Sequence, residues 1–209
     1  MPPKNKFDKN IFINCPFDKK YNPMLRAMLF SAIVCGLEPR LASESSDSSQ
    51  VRINKITRLI KNSRYSVHDL SRMPAKEKGE FPRFNMPFEL GVDFGSKIYG
   101  GRMLSSKKSL IFDKERFRYQ RALSDLAGVD IKAHNSKPDE LIRQFREWVR
   151  NDLGIKCKSG SQLCDAYKVF YGDFKQIMKE EGFKQRDIDN MSPNEFIHYI
   201  KQWMKGRKN

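Results

Sequence analysis

Two carboxylates, Asp69 and Glu89, stand where this sequence could do chemistry. Glu89 lies in Asn85-Met86-Pro87-Phe88-Glu89-Leu90-Gly91-Val92-Asp93-Phe94-Gly95, an apolar run that reads as a buried helix. Proline is tolerated in a first helical turn, where its missing N–H would lack a partner anyway, so Pro87 places Glu89 near the helix start. Gly91 and Gly95 each cost such a helix about 1 kcal/mol relative to alanine. Their one-turn spacing predicts that another backbone or a ligand comes close. A carboxylate in a partly apolar pocket can attack or stabilise a sugar's anomeric carbon as a base leaves, while a second carboxylate orients the ribose hydroxyls. Basic residues such as Arg52, Lys55, Arg72 and Arg83 could hold the phosphates of such a substrate.

The elements that must position these groups follow from the hydrophobic pattern. Residues 10–15 form a β-prone run ended by Pro16, which puts Asn14, Cys15, Pro16 and Phe17 at a strand's carboxyl end. Met24, Leu25, Met28, Leu29, Ala32 and Ile33 recur at helical spacing before Gly36, and residues 37–42 read as a second strand. A serine-rich loop then leads to a helix whose Val51, Ile56, Leu59 and Ile60 face inward. Residues 64–71 read as a third strand carrying His68 and Asp69 at its end. The charged stretch from Arg72 to Phe84 is long enough for a lid or binding loop. A fourth strand at 108–113, a short helix to Leu126, a fifth strand at 129–133 and a closing helix at 138–149 complete the pattern. Strands alternating with helices predict a flavodoxin-like, doubly wound, parallel five-stranded α/β sheet over residues 1–155. In open α/β sheets, ligands bind beyond the carboxyl ends of the strands, where Asn14 to Asp18, His68, Asp69 and the Glu89 helix are expected to converge.

From Lys156 onward the pattern is wholly helical, which predicts a small all-helical C-terminal appendage over 156–209. Leu163, Tyr167, Phe170, Phe174 and Ile177 make a stripe able to pack on the body, another helix or a second chain. Ser192-Pro193-Asn194-Glu195 is a strong helix start, with Phe196, Ile200 and Trp203 on one face beyond it.

The 209 residues carry a formal charge of +15. Through Arg150 there are 29 basic and 17 acidic residues, so the positive field belongs mainly to the α/β body. It favours a phosphate-bearing partner, a nucleotide or a nucleic acid. Four cysteines without CxxC or zinc-type spacing predict reduced thiols and no structural metal. The first residues lack a signal peptide's apolar core, and no run approaches the ~20 apolar residues needed to span a bilayer. A soluble cytoplasmic protein with no membrane partner is the expectation.

The segment Arg64-Tyr65-Ser66-Val67-His68-Asp69-Leu70-Ser71-Arg72, followed by Phe84-Asn85-Met86-Pro87-Phe88-Glu89-Leu90-Gly91, resembles the paired motif of the TIR-like and nucleoside 2-deoxyribosyltransferase-like superfamily. There, a strand ending in Asp precedes a helix that begins with an aromatic residue, Glu, Leu and Gly. The resemblance implies that Glu89 is the glycosidic nucleophile or its stabiliser and that Asp69 contacts the sugar. It implies cleavage of an N-glycosidic bond in NAD or a related nucleotide, with NAD as substrate rather than cofactor, and a place in antiviral defence. From their places at the strand ends, on the Glu89 helix and among the basic residues, Asn14, Cys15, Pro16, Phe17, His68, Asn85, Phe88, Arg72 and Arg83 are the expected substrate contacts. Cys15-Pro16-Phe17-Asp18 replaces the Gly-rich loop of the deoxyribosyltransferases, and Phe88 replaces the Trp of TIR domains, so the branch stays open. TIR-like enzymes commonly complete their sites by assembly, so a homo-oligomer or a partner protein held through the C-terminal helices is also expected.

Each feature has a plainer alternative. Glu89, Asp93 and Lys97 lie at four-residue spacing and could form a solvated stripe with an i,i+4 ion pair. Asp69 could cap a turn after its strand. His68 could satisfy a backbone carbonyl, and Cys15 could be inert packing. For function, the alternative to a glycosidase is a non-catalytic nucleotide or nucleic-acid sensor signalling to a partner.

Overall fold

The computed structural model describes residues 4–44, 47, 49–75 and 79–207. A helical turn, α1 (Lys4–Phe7), leads into strand β1 (Asn10–Asn14), all five residues of which are buried. Helix α2 (Asn22–Val34) opens with Pro23 in its first turn and stops before Gly36, which takes the left-handed φ of 81° that favours glycine. Strand β2 (Glu38–Arg40) is shorter than the 37–42 expected. It sits at the sheet edge with Pro39 at its centre, and a proline cannot donate to a ladder, so such strands stay short and peripheral.

Helix α3 (Arg52–Lys61) buries Ile56, Leu59 and Ile60 and leaves its basic stripe outside. Strand β3 (Tyr65–Asp69) precedes the long loop into α4 (Asn85–Tyr99), and α5 (Gly101–Ser105) follows at once. Strand β4 (Lys108–Asp113) leads into two 3₁₀ turns, at 118–121 and 124–126, where the sequence predicts one short helix. Phe117 at φ 63° breaks the helical path there. Strand β5 is reduced to Lys132–Ala133.

The five strands form one all-parallel sheet in the order β2-β1-β3-β4-β5, flanked by helices. This is the doubly wound α/β fold with C-terminal helices, in the flavodoxin-like order whose switch point lies between β1 and β3. The remaining elements are α6 (Pro138–Asn151), α7 (Gly160–Glu180), α8 (Gln185–Asn190) and α9 (Pro193–Gly206).

The chain divides into two compact units, Met1–Pro16 with Glu38–Ser136, and Phe17–Leu37 with Lys137–Asn209. In the first, side chains alternate across the sheet, and one face presents Phe12, Asn14, Ser66, His68, Leu70 and Ile111 to α3 and α4. Two apolar clusters fill that layer. Phe12, Ala42, Ile56, Leu59 and Ile60 form one, and Leu70, Met86, Leu90, Ile111, Tyr119 and Ile131 form the other.

In the second unit, the aromatic stripe of α7 packs on α2 and α9. Phe30 of α2 stacks on Phe170 at 5.2 Å between centroids, and Trp203 of α9 meets Phe170 edge-on at 5.5 Å. Of the predicted stripe, Ile177 is instead exposed, and Met178 takes the buried position one residue on. Arg26 of α2 is buried among these rings, with its guanidinium 5.0 Å from the Phe196 centroid and donating to Tyr171 Oη and the Ile188 carbonyl. Caps define both long helices: Ser159 Oγ accepts from Gln162 N–H, and Ser192 Oγ from Glu195 N–H. Among the described residues no helix is long and apolar enough to cross a membrane.

Candidate functional site

The first turns of α3 and α4 enclose a pocket of about 190 Å³, lined by Arg52, Ile53, Ile56, Asn85, Phe88 and Glu89. It is smaller than the ~300–1,000 Å³ of a drug-sized ligand site. Its floor is the Glu89 carboxylate, of which 6% of the side chain is exposed. At the rim, Phe88 shows more than half its surface to solvent, and Phe84 stands exposed one turn earlier.

At the rim Glu89 pairs with Arg52, whose Nη2 lies 3.4 Å from Oε1. The Arg52 side chain is itself 60% exposed. Burial pushes the Glu89 carboxyl above the ordinary glutamate range, against the opposing pull of Arg52 and the His68 ring. One turn on, Asp93 faces the same way. Burial alone would raise it too, but the hydrogen bond and charge from His68, the Lys107 ammonium and the Ser66 hydroxyl together hold it well below the usual carboxylate range. Two carboxylates on one helical face are thereby driven apart, the pattern that separates chemical roles in catalytic sites.

The plainer reading of these residues as a solvated stripe does not hold. Glu89 and Asp93 are buried against the sheet, and only Lys97 is exposed. Asp93 Oδ2 accepts from Ser66 Oγ at 2.5 Å and Ser109 Oγ at 3.1 Å, and lies 3.0 Å from His68 Nε2. Its Oδ1 is 3.0 Å from Lys107 Nζ, which also donates to the carbonyls of Ile60 and Ser63 at the end of α3. His68 Nδ1 meets Asn14 Nδ2 at 3.0 Å, and the same amide donates to the Met86 carbonyl in the first turn of α4. The carboxylate opposite Nε2 calls for a ring proton on that nitrogen. His68 thus bonds two side chains rather than a backbone carbonyl. The network ties β1, β3, the end of α3 and both ends of the Glu89 turn together at the switch point.

Asp69 does not join Glu89. Its neighbour His68 points to the α4 face, so alternation sends Asp69 to the other one. There Oδ1 accepts the Ser71 N–H at 2.8 Å, and Oδ2 lies 3.0 Å from His134 Nε2, whose Nδ1 accepts from the Ser136 N–H. The turn-cap alternative therefore describes where Asp69 sits. At the end of β4, Asp113 is likewise engaged, by Arg118.

Of the other expected contacts, Asn85 and Phe88 line the pocket, and Asn14 and His68 form the layer beneath it. Cys15 and Pro16 are buried and do not line it, and Phe17 falls in the second compact unit. Arg72 and Arg83 are not among its lining residues, whereas Arg52 is. Nothing comes within 4 Å of a Cβ built at Gly91 or Gly95, so no backbone approach explains those glycines. The close approach is at Gly100, where a Cβ would collide with the Ser96 carbonyl and the Leu104 side chain.

Sequence reasoning missed Ile53 and Ile56 as lining residues, and Asp93, Lys107, Ser66 and Ser109 as the support. The four-residue spacing of Glu89 and Asp93 was the available signal for Asp93. Nothing in Ser106-Lys107-Lys108-Ser109 marks which lysine is buried. Among the described residues, no three His, Cys, Asp or Glu side chains gather in a metal-holding group, and all four cysteines are free thiols.

No protein-family model, curated protein or solved structure matches this chain. The site must be read from its own chemistry.

Proposed function

We propose that this protein is an N-glycosidase acting on NAD or a related nucleotide, with Glu89 as the residue that meets the sugar. The observation that carries the reading is a carboxylate at the floor of a ring-sized pocket, with a guanidinium and an amide at its mouth. Such a carboxylate answers the positive charge that develops at C1′ as the base departs, and low local polarity strengthens the interaction. The C1′–N bond breaks with its electron pair leaving on the base. A water oxygen then forms the new bond to C1′, and its proton passes to Glu89 or to solvent. With Asp69 turned to the opposite face, Asn85 is the group placed to hold a ribose hydroxyl, and Phe88 offers an aromatic surface at the rim. The paired motif over residues 64–72 and 84–91 adds support, and with it a place in antiviral defence.

A nucleotide-sensing module is the second reading. The observation that favours it is Asp69, whose commitment to His134 leaves the pocket a single carboxylate. A chromatographic assay for free base across NAD, nicotinamide mononucleotide, purine and pyrimidine nucleotides and their nucleosides separates the two. Release of base from at least one nucleotide supports the glycosidase. Stable binding with no release from any of them overturns it in favour of the sensor.

A further inference from the structure

Among the described residues Arg52 is the one cation lining the pocket, and its position is unusual for a structural partner of a buried acid. Buried carboxylates are ordinarily held by short, well-aligned donors, because an ion taken out of water must be compensated at close range. Asp93 is held in that way at Oδ2, by Ser66, Ser109 and His68, and the buried Lys107 ammonium stands 3.0 Å from Oδ1 as a counter-charge without a hydrogen bond to it. Glu89 is not. Its arginine partner stands at 3.4 Å, near the limit of a hydrogen bond, and keeps more than half its surface in water. Glu89 is buried but its partner is not, and a single long contact does little to hold an arginine side chain that stays mostly in water, so the arginine is cheaply drawn away. A phosphate offers the planar guanidinium fork a better match than one distant carboxylate oxygen, since two parallel charge-assisted bonds become available. Helix α3 begins at Arg52 with no acidic residue in its first turn, so nothing on its own element repels an incoming anion.

We propose that Arg52 is the specificity-determining residue of this pocket, exchanging Glu89 for a substrate phosphate so that a phosphate-bearing nucleotide, and not a nucleoside, exposes the carboxylate to the sugar. This rests on the glycosidase reading for its consequence on turnover, but its binding consequence stands apart from it. A nucleoside enters a pocket whose carboxylate is still neutralised by the guanidinium. A nucleotide supplies its own counter-charge to Arg52 and leaves Glu89 free to face C1′. Phosphate preference therefore appears in kcat as well as in KM.

Nicotinamide mononucleotide and nicotinamide riboside differ by that phosphate and serve as probes. Binding of each is measured by calorimetry to Glu89→Gln, to Arg52→Ala and to the double variant, with thermal melting as the folding control. Arg52 is exposed, and Arg52→Gln gives a second, less truncating variant. The expected result is that Glu89→Gln, with its guanidinium released, binds the mononucleotide more tightly than wild type does. Adding Arg52→Ala then weakens that binding by about 10- to 100-fold, the worth of hydrogen bonds to a charged group, and leaves riboside binding unchanged. Equal affinity of the two probes for Glu89→Gln, or no binding of either, overturns the proposal. Steady-state base release separates this from the glycosidase reading. Phosphate-selective binding without release by any variant sinks the glycosidase and keeps the role of Arg52. Release from riboside as fast as from mononucleotide in wild type does the reverse.

Discussion

Glu89 and Asp93 stand one turn apart on α4, both buried, and their surroundings drive them in opposite directions. Asp93 stabilises the fold. Its carboxyl is held below its ordinary value of 3.8, so its contribution is fully present above that pH and is lost progressively as the pH falls below it. Asp93→Asn leaves Lys107 buried without its counter-charge, and we expect a loss of about 3–5 kcal/mol at pH 7, the usual consequence of breaking a buried pair. Chemical denaturation at pH 7 and pH 3 checks it, because the gap from wild type should narrow at the lower pH. Glu89 has the opposite sign. Its carboxyl is raised above its ordinary 4.5, so it costs stability as the pH rises through that value and beyond. Glu89→Gln is therefore expected to melt at or above the wild-type temperature at pH 7, with the advantage fading below pH 4.5. A large destabilisation at pH 7 would show that Glu89 is a structural ion.

At the scale of elements, the glycine that matters in α4 is the one at its end. Gly100 joins α4 to α5 so closely that a Cβ there meets the backbone of Ser96 as well as Leu104. Gly100→Ala is expected to destabilise by about 1–3 kcal/mol through this clash, whereas Gly91→Ala, in open space on an exposed helix face, is expected to stabilise slightly. Paired melting curves of the two variants check the contrast. Periodicity made the helices and the order of strands legible, because each apolar face must be buried somewhere. It could not show that Asp69 turns away from Glu89. Strand alternation contains that information only once the register of β3 against α4 is known, and both Asp69 and His68 sit at the same strand end. Lys107 was illegible for a related reason. Lysine is almost never fully buried, and only the carbonyls at the end of α3 with Asp93 opposite make this burial tolerable.

Over the whole molecule, a change of composition near residue 156 predicts an appendage, but the compact units are cut differently. Helices α2 and α6, which the βαβ pattern assigns to the body, belong to the unit that contains α7 to α9. The reason is the aromatic content of that unit. Phe30 and Arg26 of α2 find their partners on α7, α8 and α9, contacts a sequence of periodic helices does not specify. A chain truncated after Ile155 is therefore expected to be insoluble or to lose cooperative melting, since Phe30 would lose its stacked ring and Arg26 would lose both hydrogen-bond acceptors. Soluble, cooperatively melting protein from residues 1–155 would contradict this. The charge of +15 is a property of the same scale. It favours encounter with phosphate-bearing ligands and weakens with salt, without selecting among them.

The central claim is that the Glu89 carboxylate faces a sugar as a base leaves, and the most direct measurement is free nicotinamide released from NAD by wild type and by Glu89→Gln. Both are assayed at high protein concentration and matched folding. The expected result is release by wild type and a rate at least about 100-fold lower in the variant, the loss typical when one transition-state charge partner is removed. Equal rates in the two proteins, or release of base by neither from NAD or from any nucleotide of the panel, would contradict it.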